Sequence, residues 1–152
     1  VFPEGHVTES FDGRPVAPLL GEFTEADMGT ARAGTYPNFW LHSTGDHATT
    51  MRLIPTGPET TLMRADWLVR ADAQQGVDYD VERLIAFMDR VNREDRDLIL
   101  GQAAGVKSSR YAPGPLVMDE ESRVKHFLNW YMAKMKYPHS LPAIHRTLAL
   151  GL

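Results

Sequence analysis

The strongest pattern of hydrophobic positions in the chain lies between Val81 and Gln102. Apolar residues recur there at steps of three and four, the period of an α-helix that packs along one side. Asp78 or Asp80 can cap the start of this helix, and Gly105 lies past its expected end. The pattern therefore predicts a long amphipathic helix with these inward-facing residues: Val81, Leu84, Ile85, Met88, Val91, Leu98 and Ile99.

Asp95 interrupts the apolar side of this predicted helix. At about 100° of rotation per residue, its side chain falls between those of Val91 and Leu98. A carboxylate among buried apolar residues costs free energy unless a positive charge, backbone donors or a bound proton compensates it. The pattern leaves a metal ion and a salt bridge as open alternatives. The arginines considered for the salt bridge are Arg64, Arg70 and Arg83.

The first half of the chain favours β-structure. Turn-forming clusters at 43–46 and 55–58 separate three segments rich in strand-forming residues, which predicts an antiparallel meander. The segments are Thr35–His42, His47–Ile54 and Glu59–Ala71. Upstream, Asp12-Gly13 predicts a tight hairpin turn between 7–11 and 14–16, and residues 25–28 predict one helical turn within a loop.

A second amphipathic helix is predicted over 120–136, after a proline-bearing loop at 108–115. Its apolar side carries Val124, Phe127, Leu128, Tyr131 and Met135. Pro138 ends this helix, and a further short helix is predicted from Pro142 onward. Strands followed by helices predict an α+β fold, in which an antiparallel sheet packs against the long helix.

The length of 152 residues and a hydrophobic content of 43% fit one domain with a core of its own. We expect this domain to occupy residues 1–138, with a C-terminal tail at 139–152. A chain that opens on Val1 without an initiator methionine is interpreted as a piece of a longer protein.

The composition narrows the possible partners and chemistry. The formal charge is -4 without a basic cluster, which argues against nucleic acid and membrane surfaces as partners. The chain has no cysteine, so it holds no disulfide, thiolate zinc site or cysteine-bound iron–sulfur cluster of its own. This usage fits a reducing compartment, and we predict a cytoplasmic location. Phosphate-binding loops and serine nucleophile motifs are absent from the sequence.

Two histidines are candidates for a metal site. His42 and His47 flank the turn Ser43-Thr44-Gly45-Asp46, so two histidines and one aspartate could meet as iron ligands. The alternative is a pair of polar residues at the end of a hairpin or along a cavity. Trp40 is interpreted as a core residue, or as a cavity wall able to hold a quaternary ammonium group through cation–π attraction.

An ordered set of short motifs resembles the catalytic domain of Rieske-type non-haem iron oxygenases. Within that family the chain resembles the branch of glycine betaine monooxygenase and related N-demethylating enzymes, over nearly all its length up to Pro138. The motifs are Tyr36-Pro37-Asn38, Gly45-Asp46-His47, Arg52-Leu53-Ile54-Pro55, Trp67-Leu68-Val69, Gly76-Val77-Asp78-Tyr79-Asp80, Asn92-Arg93-Glu94-Asp95-Arg96, Gln102, Gly105-Val106, Ser108-Ser109, Tyr111-Ala112-Pro113-Gly114-Pro115 and Phe127-x-x-Trp130-Tyr131.

The resemblance implies a helix-grip fold, of which this chain is the C-terminal part. It implies Asp95 as one ligand of a mononuclear Fe(II) ion whose two histidine ligands lie outside this chain. It also implies a missing N-terminal domain with a [2Fe–2S] Rieske cluster. By the same resemblance His42 and His47 are not iron ligands. The predicted pocket residues are Met88, Val91, Asn92, Trp40, His42 and His47.

The implied activity is O2-dependent hydroxylation or oxidative demethylation of a small organic substrate, either an aromatic compound or a methylated amine or betaine. Implied partners are a reductase or ferredoxin and further copies of the full-length subunit in a homotrimer, and the fragment is expected to be inactive alone. The alternative hypothesis is a non-enzymatic helix-grip domain that binds an apolar ligand in a sheet-lined cavity. An arginine or a ligand cation would then satisfy Asp95.

Overall fold

The computed structural model describes residues 2–136. The chain divides into two compact units, the first ending at Tyr111 and the second beginning at Ala112. The predicted tail at 139–152, with its short helix, lies outside the described residues. In chain order the elements are β1 (Ala31–Thr35), β2 (Phe39–Ser43), β3 (Ala48–Gly57), β4 (Thr60–Leu68), α1 (Val81–Val106) and α2 (Met118–Lys134).

The four strands of the first unit form one antiparallel sheet in the order β1-β2-β3-β4. This meander and the two helices confirm the predicted α+β class, whereas the helix-grip arrangement stays a prediction. Directly paired residues share a face of the sheet. Arg32 pairs with His42 across β1 and β2, and Trp40 pairs with Met51 across β2 and β3. These four side chains therefore lie on one face.

The sequence pattern missed β1 and misplaced the strand ends. β3 continues to Gly57, through residues predicted as a turn, and β4 ends at Leu68 rather than Ala71. All five residues of β1 are exposed and include small and charged types. A strand at a sheet edge is held by backbone hydrogen bonds to its neighbour, so it needs no hydrophobic alternation.

The predicted N-terminal hairpin is wrong, because residues 7–16 form turns instead of strands. The Ser10 hydroxyl donates to the Arg14 carbonyl at 2.8 Å, and the Arg14 N–H donates to Asp12 Oδ1 at 3.1 Å. These side-chain bonds occupy the backbone groups that a strand ladder would use. The predicted helical turn at 25–28 is also wrong, since the Met28 N–H bonds to the Ala26 carbonyl and not to one four residues back.

Helix α1 confirms the predicted long helix but not its burial along the whole length. Leu84 and Met88 are buried, whereas every residue from 93 to 106 is exposed, including Leu98 at 70% and Ile99 at 65%. The described strands and loops cover the helix only as far as Asn92. Asp95 is therefore exposed, and the expected cost of burying its charge does not arise. The helix also continues through Gly105 to Val106.

Helix α2 lies in the second unit and begins two residues earlier than predicted, with irregular backbone angles at Glu121. The Phe127 ring stacks on Trp130 and on Tyr131, with ring centroids 6.0 Å and 6.2 Å apart. Val124, Leu128 and Tyr131 on the same helix are exposed. An aromatic cluster within one helix therefore contributes to the side-chain packing of this element.

The N-cap of α1 gives a first testable prediction. The Asp80 carboxylate accepts a hydrogen bond of 2.8 Å from the Arg83 backbone N–H. We expect Asp80→Ala to lower the free energy of unfolding by about 1 kcal/mol, because one of the first helical N–H groups loses its partner. Thermal unfolding of the full-length protein measures this, and Asp80→Asn, which keeps a capping oxygen, is the control. Equal transitions for the two variants would contradict the capping role.

Candidate active-site pocket on the long helix

A cavity of about 300 Å³ opens between α1, the sheet and the segment that precedes the sheet. We call it the Asp95 pocket. All its lining residues belong to the first unit. They are Glu9, Arg32, His42, Met51, Phe87, Met88, Val91, Asn92 and Asp95.

Helix α1 supplies one complete face of the Asp95 pocket. Met88, Val91, Asn92 and Asp95 are spaced i, i+3, i+4 and i+7, so they lie above one another on the same side of the helix. The first of them is buried and the last is exposed at the end of the covered part of the helix. The Asp95 carboxylate thus borders a cavity while remaining open to solvent.

The Asp95 carboxylate has no ion pair or hydrogen bond with any group in residues 2–136. The salt-bridge interpretation is wrong for its three candidate arginines, because each has a different carboxylate partner. Arg64 pairs with Asp66 at 2.9 Å, Arg70 with Asp72 at 2.5 Å, and Arg83 with Asp12 at 3.1 Å. Arg64 and Arg70 pair with carboxylates two residues away, whereas Arg83 pairs with a carboxylate in the N-terminal segment.

The sheet and the N-terminal segment supply the polar wall of the Asp95 pocket. Arg32 and His42 are direct cross-strand neighbours, and both approach Glu9. Glu9 is only 6% exposed, with its Oε1 atom 3.4 Å from Arg32 Nη2 and 3.6 Å from His42 Nδ1. The second distance exceeds a hydrogen bond, and His42 Nδ1 has no hydrogen-bond partner among the described residues.

The structure brings five of the seven predicted site residues to this pocket and leaves two outside its lining. Asp95, Met88, Val91, Asn92 and His42 line it. Trp40 shares the sheet face of His42 but is 38% exposed and lies outside the lining. His47 is buried elsewhere, against Asp46.

The environment of Asp46 is a buried polar cluster formed by Thr8, Thr44, Asp46 and His47, which we call the Asp46 cluster. The Thr8 and Thr44 hydroxyls donate to Asp46 Oδ1 at 2.5 Å and 2.9 Å, and the Val16 N–H donates to Oδ2 at 2.8 Å. His47 Nδ1 lies 3.1 Å from Oδ1. The cluster therefore joins the N-terminal segment to the turn between β2 and β3.

The electrostatics of the Asp46 cluster favour a charged carboxylate. Burial acts to raise the pKa of Asp46, but the hydrogen bonds from His47, Thr8 and the Val16 N–H, with the charge of His47, outweigh it. The pKa of Asp46 is consequently held well below its usual range. Every oxygen of this carboxylate has a protein partner, so the cluster is suited to holding the fold together.

The hypothesis of an iron site made by His42, His47 and Asp46 is wrong for the described residues. His42 faces Glu9 on the pocket wall, whereas His47 faces Asp46 in the interior. Within residues 2–136 no group of three or more His, Cys, Asp or Glu side chains is arranged to hold a metal ion. The donor chemistry of Asp95, an unpaired carboxylate bordering a cavity, fits one ligand of such an ion and no more.

Sequence reasoning missed four of the pocket residues, Glu9, Arg32, Met51 and Phe87. Glu9 and Arg32 lie in a turn region and in an edge strand without hydrophobic alternation, so no local pattern marks them. Met51 is the partner of Trp40 in the predicted meander, and Phe87 precedes Met88 on α1. The pairing of β1 with β2 places Arg32 beside His42, so a correct strand assignment would identify Arg32 as a pocket residue.

A second cavity of about 500 Å³ is lined by residues 15–18, 76–80 and Arg83. Its charged side chains already have partners. Asp78 accepts from the Gln74 N–H and Asp80 from the Arg83 N–H, both at 2.8 Å, and Arg83 pairs with Asp12. The carboxylate and the His42 imidazole nitrogen of the Asp95 pocket have no partner within residues 2–136, so this pocket is the better candidate for binding chemistry.

A search of the described helices finds none with the length and apolar character needed to cross a membrane.

Comparison with known proteins connects this pocket to a protein family. The family model for the ring hydroxylating alpha subunit (catalytic domain) matches residues 5–137, which include every residue of the Asp95 pocket. The glycine betaine monooxygenase oxygenase subunit of Chromohalobacter salexigens is 39% identical over 145 residues, covering 93% of this chain and 33% of that protein.

Two further relatives extend this comparison. The corresponding subunit of Pseudomonas aeruginosa is 37% identical over 133 residues, which cover 87% of this chain and 31% of that protein. The chloroplastic choline monooxygenase of Atriplex hortensis is 32% identical over 104 residues, covering 68% of this chain and 24% of that protein. The chain spans about a third of the length of the glycine betaine monooxygenase subunits it matches. By the match over 5–137, the chain belongs to the family of ring-hydroxylating alpha subunits, in its catalytic domain.

Proposed function

We propose that this chain is part of the catalytic domain of a Rieske-type non-haem iron monooxygenase that oxidises an N-methyl group of a small methylated amine or betaine. The observation that carries the proposal is the position of Asp95, an unpaired carboxylate on the wall of a cavity sized for a small molecule. The names of the relatives support the substrate class, since they are monooxygenases of glycine betaine and of choline.

Asp95 would bind a ferrous ion as an anionic ligand, and two histidines from outside the described residues would complete the set. The rigid helix α1 fixes the direction of this carboxylate relative to Val91, one turn earlier, and Met88, two turns earlier. Such an ion would supply the activation of dioxygen beside the substrate. The chain itself contributes orientation and exclusion of water.

The apolar part of the pocket suits the methylated end of the substrate. Met51, Phe87, Met88 and Val91 present thioether, aromatic and branched groups, none of which competes for hydrogen bonds. Phe87 is held by an edge contact from Phe11, with ring centroids 5.7 Å apart. A quaternary ammonium group binds to such surfaces through dispersion and cation–π attraction.

The proposed reaction is an oxidative N-demethylation. One atom of dioxygen is inserted into a C–H bond of the N-methyl group, and the other leaves as water with two electrons and two protons. The N-hydroxymethyl product then breaks its C–N bond, releasing formaldehyde, a proton and the amine with one methyl group fewer. We propose that the electrons come from a Rieske [2Fe–2S] cluster of the full-length protein and that a reductase or ferredoxin reduces this cluster. We also propose that the cluster reaches this pocket within a homotrimer and that the protein is located in the cytoplasm.

The experiment is turnover by the full-length protein with a reductase, NADH or NADPH and oxygen, using glycine betaine and choline as substrates. We expect formaldehyde in equal amounts to demethylated product from at least one methylated amine, measured by formaldehyde derivatisation and mass spectrometry. A simple aromatic acid is the control for ring hydroxylation. Products from the aromatic acid alone would contradict the proposed substrate class. The relatives are named as monooxygenases, which argues against the alternative of a non-enzymatic domain that binds an apolar ligand.

A further inference from the structure

The polar wall of the Asp95 pocket is built differently from its helical face. Glu9, Arg32 and His42 come from two separate parts of the chain and meet at one carboxylate oxygen. Arg32 and His42 are held next to each other by the pairing of β1 with β2. Three groups that can carry charge are therefore fixed at one side of a cavity that is otherwise largely apolar.

The hydrogen bonding of this wall is incomplete within residues 2–136. The buried Glu9 carboxylate has one long contact of 3.4 Å to Arg32, and its 3.6 Å distance to His42 is too great for a hydrogen bond. His42 Nδ1 is also buried without a partner among the described residues. Buried polar atoms without partners are costly, so a polar ligand group that reaches this wall gains several bonds at once.

The charges decide which ligand group fits. Glu9 and Arg32 compensate each other, and Glu9 touches one nitrogen of a guanidinium that has five N–H donors. The remaining N–H groups of Arg32 are therefore available to bind an acceptor of a ligand in the pocket. A carboxylate can accept two parallel hydrogen bonds from a guanidinium, and such charge-assisted pairs are stronger than hydrogen bonds between neutral groups.

We propose that Arg32 determines the substrate specificity of this pocket by binding a carboxylate of the substrate, so that N-methylated amino acids such as glycine betaine are preferred over methylated amines such as choline. Glu9 acts as a positioning residue, which anchors the Arg32 guanidinium from inside the fold. The apolar groups of the pocket hold the N-methyl end. The inference rests on the proposed function and adds the chemical feature that separates its two candidate substrates.

The test measures binding to the full-length protein by isothermal titration calorimetry, without oxygen or reductant, using glycine betaine and choline as probes. Arg32→Gln is expected to weaken glycine betaine binding by between about tenfold and a hundredfold, since a hydrogen-bonded charge pair is lost. Choline binding should change by less than about threefold, because choline has no carboxylate to lose a partner. Because the Arg32 side chain is 61% exposed, we expect its substitution to leave folding intact.

Arg64→Gln is the matched control. Arg64 is also an exposed arginine of the sheet with a carboxylate partner, but it lies outside the pocket lining. Its substitution should leave both dissociation constants unchanged. Glu9→Gln tests the positioning role, and we expect it to weaken glycine betaine binding while leaving choline binding near its original value.

The possible outcomes separate this inference from the proposed function. Equal weakening of both ligands in Arg32→Gln, or no weakening of either, would overturn the role of Arg32. Weaker choline binding in Glu9→Gln would show that Glu9 contacts the ammonium group directly. That result would also overturn the proposed roles of Glu9 and Arg32. If the unmodified protein demethylates choline but neither binds nor demethylates glycine betaine, the specificity inference fails while the proposed function stands. Failure to bind or demethylate any methylated amine overturns both.

Discussion

Replacing Asp95 with alanine in the full-length protein is expected to remove the mononuclear iron and abolish turnover, while the absorbance of the Rieske cluster stays unchanged. Loss of a partner that merely orients a metal ligand costs about 10- to 100-fold in metal affinity or activity, and loss of the ligand itself should cost more. The unpaired Asp95 carboxylate has no described structural contact that the substitution would break. Iron per subunit, measured by mass spectrometry beside the visible spectrum, is the direct readout.

Asp97→Ala is the matched control for this experiment. Asp97 lies two residues further along α1, is 69% exposed, and pairs with Arg96 at 2.9 Å. Exposed pairs of this kind contribute about 0–1 kcal/mol, so the control should keep its iron, its Rieske absorbance and its turnover. Full iron occupancy and normal turnover in Asp95→Ala would refute the ligand assignment. Equal loss in both variants would point to disruption of the helix instead.

Asp95 also shows how far sequence reasoning reaches in this chain. Its selection began from helical periodicity, which assumed that the apolar side of α1 is buried throughout. The structure exposes this side beyond Asn92, so the assumption of a buried charge was wrong although the residue does border a cavity. Periodicity places Asp95 on the same face as Met88 and Val91, but it cannot tell which part of that face has a neighbour.

The polar wall of the pocket lay beyond sequence reasoning for a different physical reason. β1 has no hydrophobic alternation, because its pairing with β2 depends on backbone hydrogen bonds that all residue types can make. Without β1, Arg32 has no assigned neighbour. Glu9 was placed in a hairpin strand, whereas side-chain bonds from Ser10 and Asp12 fold that segment into turns. The positions of Glu9 and Arg32 in the pocket wall therefore depend on contacts between distant segments, which local sequence patterns do not show.

His47 illustrates a misleading sequence signal. Its spacing from His42 across a short turn is compatible with a shared metal, yet the two imidazoles have separate carboxylate neighbours. Residues 44–47 form the end of the hairpin, where the backbone changes direction between β2 and β3. His47 lies in this turn and is buried beside Asp46, whereas His42 lies on β2 beside Glu9. The Asp46 cluster is consequently a structural feature, and it gives the second large predicted effect.

Replacing Asp46 with alanine is expected to lower the free energy of unfolding by about 3–5 kcal/mol, because it breaks a buried charged network and leaves the Val16 N–H and the His47 ring without their carboxylate acceptor. The affected groups are the Thr8 and Thr44 hydroxyls, the Val16 N–H and the His47 ring. In a protein of this kind such a loss corresponds to a fall of roughly 10 °C in the thermal transition. Thermal unfolding of the full-length protein at pH 7, followed by tryptophan fluorescence, measures it.

Asp66→Ala is the control for surface charge. Asp66 pairs with Arg64 on an exposed part of β4, and its loss should cost less than about 1 kcal/mol. An Asp46→Ala variant with the thermal transition of the Asp66 control would show that the buried network does not stabilise the fold.

The pH dependence of this effect follows from the lowered pKa of Asp46. A carboxyl group whose pKa is lower in the folded state stabilises that state fully above its unfolded pKa, about 3.9 for aspartate. This contribution is lost as the pH falls through the folded pKa, because protonation then becomes favourable in both states. The stability gap between the original protein and Asp46→Asn should therefore narrow progressively as the pH falls below about 4. A gap that widens on acidification would show that the folded state raises this pKa and would contradict the network of donors around Asp46.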